Sequence, residues 1–135
     1  MDSILLITDS AEIIRECLPL LTEQGYDISV AANPDERQTM ATDLLLCDLE
    51  TEGLDLRTVS RYAFEDDVSL IAITPFEMVD RAITAMQMGA YGYVLKPVFP
   101  PELSLVVSRA LRGKQLSLEN EYLRQLLANP SDSRK

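Results

Sequence analysis

Four short apolar runs in this chain end on polar groups of complementary type. Ile4-Leu5-Leu6-Ile7 runs into Thr8 and Asp9, Leu44-Leu45-Leu46-Cys47 into Asp48, and Leu70-Ile71-Ala72-Ile73 into Thr74; Tyr91 to Leu95 ends on Lys96. Two carboxylates held close together repel, and a hard divalent cation such as magnesium is the usual means of keeping both ionised. The Thr74 hydroxyl and the Lys96 ammonium would complete a pocket for a tetrahedral oxyanion above Asp48. Such a set supports phosphoryl transfer to a carboxylate, where the protein supplies in-line positioning and charge neutralisation. The position of Lys96 is informative because the only other lysines are Lys114 and Lys135. A lone aspartate after a strand usually caps a helix or sits in a solvated turn. Five complementary groups at consecutive strand ends make a site instead.

The elements that must position these groups follow from periodicity. Ile4–Ile7 and Leu44–Cys47 are unbroken apolar runs, the pattern of strands covered on both faces. Further strands are expected over Tyr26–Ala32, Ser69–Thr74 and Tyr91–Leu95. Between them lie helical segments. The first is capped by Ser10, carries Ile14, Cys17, Leu18 and Leu21 at helical spacing, ends at Gly25 and holds Pro19 as a possible kink. The second is short and polar, with Asn33 as cap and Pro34 in its first turn. The third is weak and runs from Leu56 to Ala63. The fourth spans Glu77–Met88 with Val79, Ile83 and Met86 on one face, closed by Gly89. The fifth starts at Pro101 and packs Leu103, Val107, Ala110 and Leu111 on the sheet. Alternation of this kind implies right-handed βαβ units and a doubly wound, five-stranded parallel sheet with helices on both faces. In such sheets ligands bind beyond the carboxyl ends of the strands, where the polar groups above converge.

Composition narrows the function classes. A chain of 135 residues with 47% hydrophobic content has room for one ordinary core. No stretch reaches the ~20 apolar residues of a membrane span, and the N-terminus lacks a basic signal-peptide region, so a cytoplasmic protein is expected. Histidine is absent, which removes histidine-based catalysis and the commonest zinc ligand. A net charge of −10 without a basic stretch argues against direct binding to nucleic acid or an anionic membrane. Cys17 and Cys47 lie in apolar runs and read as buried hydrophobes rather than as a disulfide or metal pair.

With these residues in place, the chain resembles the receiver domain of bacterial response regulators over about residues 3 to 113. The likeness rests on Ile4-Leu5-Leu6-Ile7-Thr8-Asp9, Leu45-Leu46-Cys47-Asp48, Leu70-Ile71-Ala72-Ile73-Thr74 and, most specifically, Gly89-Ala90-Tyr91-Gly92-Tyr93-Val94-Leu95-Lys96-Pro97. It implies a strand order 2-1-3-4-5, Asp48 as phosphoacceptor and Asp9 as a magnesium ligand, with Glu50 giving its backbone carbonyl to the same ion. It further implies Thr74 as switch hydroxyl, Lys96 as phosphate-binding lysine, Tyr93 as the aromatic that changes rotamer, and a cis Lys96–Pro97 peptide. A sensor histidine kinase or phosphotransfer protein would be the donor. The fourth helix, fifth strand and fifth helix would then read out the change. Three departures stand out: Thr8 where the family usually has an acid, Pro75 after Thr74, and a loop after Asp48 without the usual proline at Glu52 or glycine at Leu56. Loss of an acid at Thr8 lowers the expected magnesium affinity. A degenerate receiver acting as a phosphorylation-independent interaction module is the alternative. A phosphatase is the third class, since Asp48-Leu49-Glu50-Thr51 partly matches the haloacid-dehalogenase nucleophile motif, but that motif requires aspartate at position 50 and its hydroxyl one residue later.

Beyond the receiver, residues 1–113, the helical pattern continues over 114–128 through Leu116, Asn120, Leu123 and Leu127, and a polar tail occupies 129–135. The seam reads as a short coiled-coil extension forming a homodimer with Asn120 fixing register, or equally as an amphipathic helix end packed on its own domain. Residues 116–124, LSLENEYLR, resemble the linker that follows receivers in ATPase-type transcriptional activators, which implies an output domain outside this chain.

Overall fold

A computed structural model describes residues 2–35, 38 and 41–113. Five strands, β1 (Ser3–Ile7), β2 (Asp27–Ala31), β3 (Leu44–Asp48), β4 (Ser69–Pro75) and β5 (Gly92–Lys96), form one parallel sheet in the order β2-β1-β3-β4-β5. The order reverses between β1 and β3, so the ends of these two strands flank the crevice of the doubly wound sheet. The described helices are α1 (Ala11–Glu23), α2 (Leu56–Glu65), α3 (Val79–Gln87) and α4 (residues 100–113). A 3-10 turn, Phe76–Met78, precedes α3.

The continuous apolar runs are the three central strands, as expected for strands covered on both faces. Alternation divides them between two cores. Ile4, Leu6, Leu44, Leu46, Ile71 and Ile73 pack with Cys17 and Leu21 of α1 and Leu103 and Val107 of α4. Leu5, Ile7, Leu45, Cys47, Leu70 and Ala72 pack with Val59 and Ala63 of α2 and Ala85 of α3. The two cysteines are free, buried and on opposite sides of the sheet, and burial pushes both thiols up to about 12.

Helix boundaries follow local chemistry. Ser10 caps α1 by accepting from the Ile13 N–H, and Asp55 caps α2 by accepting from the Thr58 N–H. That bond, with the Thr58 hydroxyl, holds the exposed Asp55 carboxyl below its usual range. Gly25 and Gly89 follow α1 and α3 at φ 96 and 105, left-handed positions that glycine occupies without a Cβ penalty. Pro19 lies within α1 on its exposed side and does not interrupt the helix.

Four details differ from the sequence reading. The buried stripe of α1 is Ile13, Cys17 and Leu21, with Ile14 only partly buried. Helix α4 starts at Pro100, which places both Pro100 and Pro101 in the first turn, where an N–H has no helical partner. Near the expected second helix, Asp35 and Gln38 exchange backbone-to-side-chain hydrogen bonds, a capping box two residues after Asn33; most of that segment lies outside the described residues. In α3 the residues packed on the sheet are Ala82 and Ala85, while Ile83 and Met86 are exposed. Small alanines let the helix sit close to the sheet, and the larger apolar residues are turned outward. The expected extension over 114–128 and the tail over 129–135 lie outside the described residues. No helix among the described residues is long and apolar enough to cross a membrane.

Candidate functional site

Asp48 is the last residue of β3, at the register position beside Ile73 of β4. The Leu49 N–H donates to the Ile73 carbonyl at 2.9 Å, so the ladder holds the backbone on the far side of Asp48 as well. Thr51 hydrogen-bonds the Asp48 carbonyl through both its N–H (3.1 Å) and its hydroxyl (2.6 Å), turning the chain sharply after the strand. The Asp48 side chain is 1% exposed. Burial of an ionised carboxylate is costly unless it is paired and hydrogen-bonded.

Both carboxylate oxygens are engaged. Oδ1 meets the Lys96 ammonium at 2.9 Å and accepts from the Glu50 N–H at 3.1 Å. Oδ2 accepts from the Thr8 hydroxyl at 2.7 Å. Groups from the ends of β1, β3 and β5 thereby meet on one carboxylate. Lys96 is the last residue of β5, its peptide to Pro97 is cis, and its ammonium also pairs with Glu50 Oε1 at 2.7 Å. Burial draws the Lys96 pKa down, but hydrogen bonds to Glu50 and Asp48 and their negative charges outweigh it and hold it above the ordinary lysine value.

Asp9 is exposed, and its Oδ2 accepts from the Glu52 N–H at 3.1 Å, tying the end of β1 to the loop after Asp48. The Asp9 and Asp48 carboxylates and the Glu50 carbonyl are hard oxygen donors on adjacent segments. Magnesium takes such donors while keeping several waters, so the donor chemistry fits. Among the described residues no three His, Cys, Asp or Glu side chains cluster as a metal site.

Thr74, the fourth group, is fully buried at the end of β4 beside Leu95 of β5. Its hydroxyl lies 3.4 Å from the Met78 carbonyl at the start of α3, and no hydrogen bond joins it to Asp48. Tyr93 is on the edge strand β5, 40% exposed, at the register position beside Ala72. The structure therefore brings Thr8, Asp48, Glu50 and Lys96 into direct contact, places Asp9 next to their loop, and keeps Thr74 and Tyr93 out of that contact network. Sequence reasoning missed two contacts: the Glu50 carboxylate on Lys96, and the Thr8 hydroxyl on Asp48. An acid two residues after the strand-end aspartate, in a chain with one lysine in its α/β region, was the available signal for the first.

Comparisons with known proteins agree with this fold. The model of the response regulator receiver domain family matches residues 4–108. The alginate biosynthesis transcriptional regulatory protein AlgB of Pseudomonas putida is 30% identical over 96% of this chain, and regulatory protein AtoC of Escherichia coli 27% over 95%. The chain spans 30% and 29% of the lengths of those two proteins. Among solved structures, a response regulator receiver domain protein from Clostridium thermocellum superimposes with a TM-score of 0.73 at 26% identity, covering 86% of this chain and 98% of that one. The receiver domain of the TMAO respiratory system response regulator TorR gives 0.72 at 26% identity, covering 82% and 97%.

Proposed function

The chain belongs to the response regulator receiver domain family, and from that premise we propose that Asp48 accepts a phosphoryl group from a sensor histidine kinase or phosphotransfer protein. The observation that carries this reading is the buried Asp48 carboxylate held against Lys96 at 2.9 Å. In the proposed reaction Asp48 is the nucleophile. Lys96 neutralises charge on the incoming phosphoryl oxygens, and the Glu50 N–H steadies the attacking carboxylate. Magnesium, held by Asp9, Asp48 and the Glu50 carbonyl, would supply charge neutralisation to the same oxygens. Such a domain carries a signal rather than turning over a substrate.

Phosphorylation adds charge and acceptor oxygens above the sheet edge. Thr74 would leave the Met78 carbonyl to donate to them, and Tyr93 would rotate into the space released. The readout surface is then formed by α3, β5 and α4, the fourth and fifth helices and fifth strand of the sequence reading. Exposed Ile83, Met86, Tyr93 and Leu105 on those elements supply it with apolar area. Control of dimerisation or of an output domain fits relatives that are transcriptional regulators of about three times this length. The phosphorylation-independent module draws no comparable support from the geometry, because Asp48 and Lys96 are both retained and paired.

Incubating the protein with acetyl phosphate and magnesium tests the proposal by intact mass. One phosphoryl group should be gained by the wild type and none by Asp48→Asn; absence of any gain by the wild type at saturating magnesium would overturn it.

A further inference from the structure

Thr8 makes a contact that the mechanism above leaves unused. It lies just past the end of β1, is 2% exposed, and donates its hydroxyl to Asp48 Oδ2 at 2.7 Å. Thr8 Oγ1 in turn accepts from the Ser10 N–H at 3.0 Å, and Ser10 is the N-cap of α1. A relay thus runs from the start of a helix, through one hydroxyl, to the buried carboxylate. Because the Ser10 N–H occupies a lone pair on Thr8 Oγ1, the hydroxyl proton is directed elsewhere, and Asp48 is the acceptor within reach.

The relay makes the two oxygens of Asp48 unlike. Oδ1 faces the Lys96 ammonium and the Glu50 N–H, and Oδ2 faces Thr8. A terminal carboxylate rotates freely about its last torsion unless something holds it. We propose, building on Asp48 as phosphoacceptor, that Thr8 is a positioning residue whose hydroxyl fixes the carboxylate and reserves Oδ1, the oxygen beside Lys96, for attack on phosphorus. Oδ2 stays engaged by Thr8, whereas the Lys96 ammonium on Oδ1 can pass to the incoming phosphoryl oxygens and release a lone pair there to attack phosphorus. With acetyl phosphate, that pair forms the new O–P bond, and the broken P–O bond leaves its electrons on acetate. Thr8 keeps its proton throughout. Lys96 is already in place to meet the phosphoryl oxygens, and the orientation is set before the donor arrives.

The position that carries an acid in the family is therefore filled here by a neutral donor with a defined partner. Its removal should slow the chemical step rather than weaken the donor's binding. The test measures initial rates of Asp48 phosphorylation by acetyl phosphate, at fixed saturating magnesium, in the full chain and its Thr8→Val and Thr8→Ser variants. Thr8→Val, which keeps the shape and loses the donor, should lower the maximal rate about tenfold or more while shifting the half-saturating donor concentration less than about twofold. Thr8→Ser should recover the rate to within about threefold of wild type. A Thr8→Val rate equal to wild type, a loss confined to half-saturation, or a Thr8→Ser variant as slow as Thr8→Val would each overturn the role of Thr8. Should Thr8→Val not fold, the wild-type protein decides: a deuterium isotope shift transmitted from the Thr8 hydroxyl to the Asp48 carboxyl carbon is expected in the carbon NMR spectrum, and its absence overturns the proposal. A wild type that takes no phosphoryl group refutes Asp48 as acceptor, and the role of Thr8 with it. A labelled wild type matched by Thr8→Val refutes Thr8 alone.

Discussion

The pocket around Asp48 and the region of Thr74 and Tyr93 stand at the same edge of the sheet but are built to different degrees. At Asp48 each carboxylate oxygen has a partner within 3.1 Å, drawn from the ends of β1 and β5 and from the loop that follows β3. At Thr74 the hydroxyl is fully buried, yet its one hydrogen bond is a long 3.4 Å contact to a turn carbonyl, and Tyr93 stands 40% exposed on an edge strand. The first region is held tightly and the second loosely. That difference suits a device whose chemistry must be preorganised and whose response must be free to change: bonds that position a reacting atom gain by being short, whereas bonds that must break on signalling gain by being weak.

The comparison breaks most visibly if Lys96 is removed. Lys96→Met leaves a buried carboxylate with no cation and should lower stability by about 3 kcal/mol, the lower end for breaking a buried pair, because Lys96 is 19% exposed. Denaturant unfolding at neutral pH measures this, and the Asp48→Asn/Lys96→Met double variant should recover most of the loss. The sign of the pH dependence is fixed by the raised Lys96 pKa. A lysine whose folded value lies above its unfolded value contributes fully below the unfolded 10.5 and loses that contribution as pH climbs through the folded value. The gap between wild type and Lys96→Met should therefore be constant through neutral pH and narrow above the ordinary lysine range.

A smaller change is expected from placing an acid at Thr8. Thr8→Asp sets a second carboxylate where the hydroxyl now lies 2.7 Å from Asp48 Oδ2, and two such groups ionise together only with a cation between them. Without magnesium the variant should be about 1 to 2 kcal/mol less stable than wild type, and magnesium should reverse the difference. Calorimetric titration should give magnesium binding about tenfold tighter than wild type. Equal affinities would mean that Thr8 does not limit the metal site.

How much of this was legible in the chain depends on how far each interaction reaches. Strand identity was readable because Ile4–Ile7, Leu44–Cys47 and Leu70–Ile73 are apolar without interruption and too short for a buried helix, the pattern of a doubly covered strand. The ends of those runs, with the end of Tyr91–Leu95, named Thr8, Asp9, Asp48, Thr74 and Lys96 as neighbours, since parallel strands bring their carboxyl ends to one edge. Pairing within the set was not readable. Which oxygen Thr8 serves, and that Glu50 uses its carboxylate as well as its backbone, depend on side-chain rotamers set by the whole pocket. The orientation of α3 was misleading for a different reason. An apolar stripe of Val79, Ile83 and Met86 ordinarily marks a buried face, but the sheet accepts the alanine face at Ala82 and Ala85, and Ile83 is 52% exposed. A hydrophobic surface turned outward carries the same periodicity as one turned inward.

The smallest effect, and the one that sharpens the comparison most, is expected at Thr74. Thr74→Val is nearly isosteric and removes a hydroxyl whose present bond is long, so resting stability should change by less than about 1 kcal/mol. The Met78 carbonyl that loses its donor lies in the turn before α3, the position from which a local rearrangement would be released. Asp48 should still accept a phosphoryl group, because Lys96, Glu50 and Thr8 remain in contact around it. What should vanish is transmission: in wild type, phosphorylation should alter amide hydrogen exchange across residues 92–96 of β5, and in Thr74→Val the same occupancy of Asp48 should leave that exchange as in the resting protein. A loss of stability above about 2 kcal/mol would show that Thr74 is as tightly built into the resting fold as Asp48, and the contrast between the two regions would fail. An unchanged exchange response would remove Thr74 from the route to β5 while leaving the acceptor pocket as described.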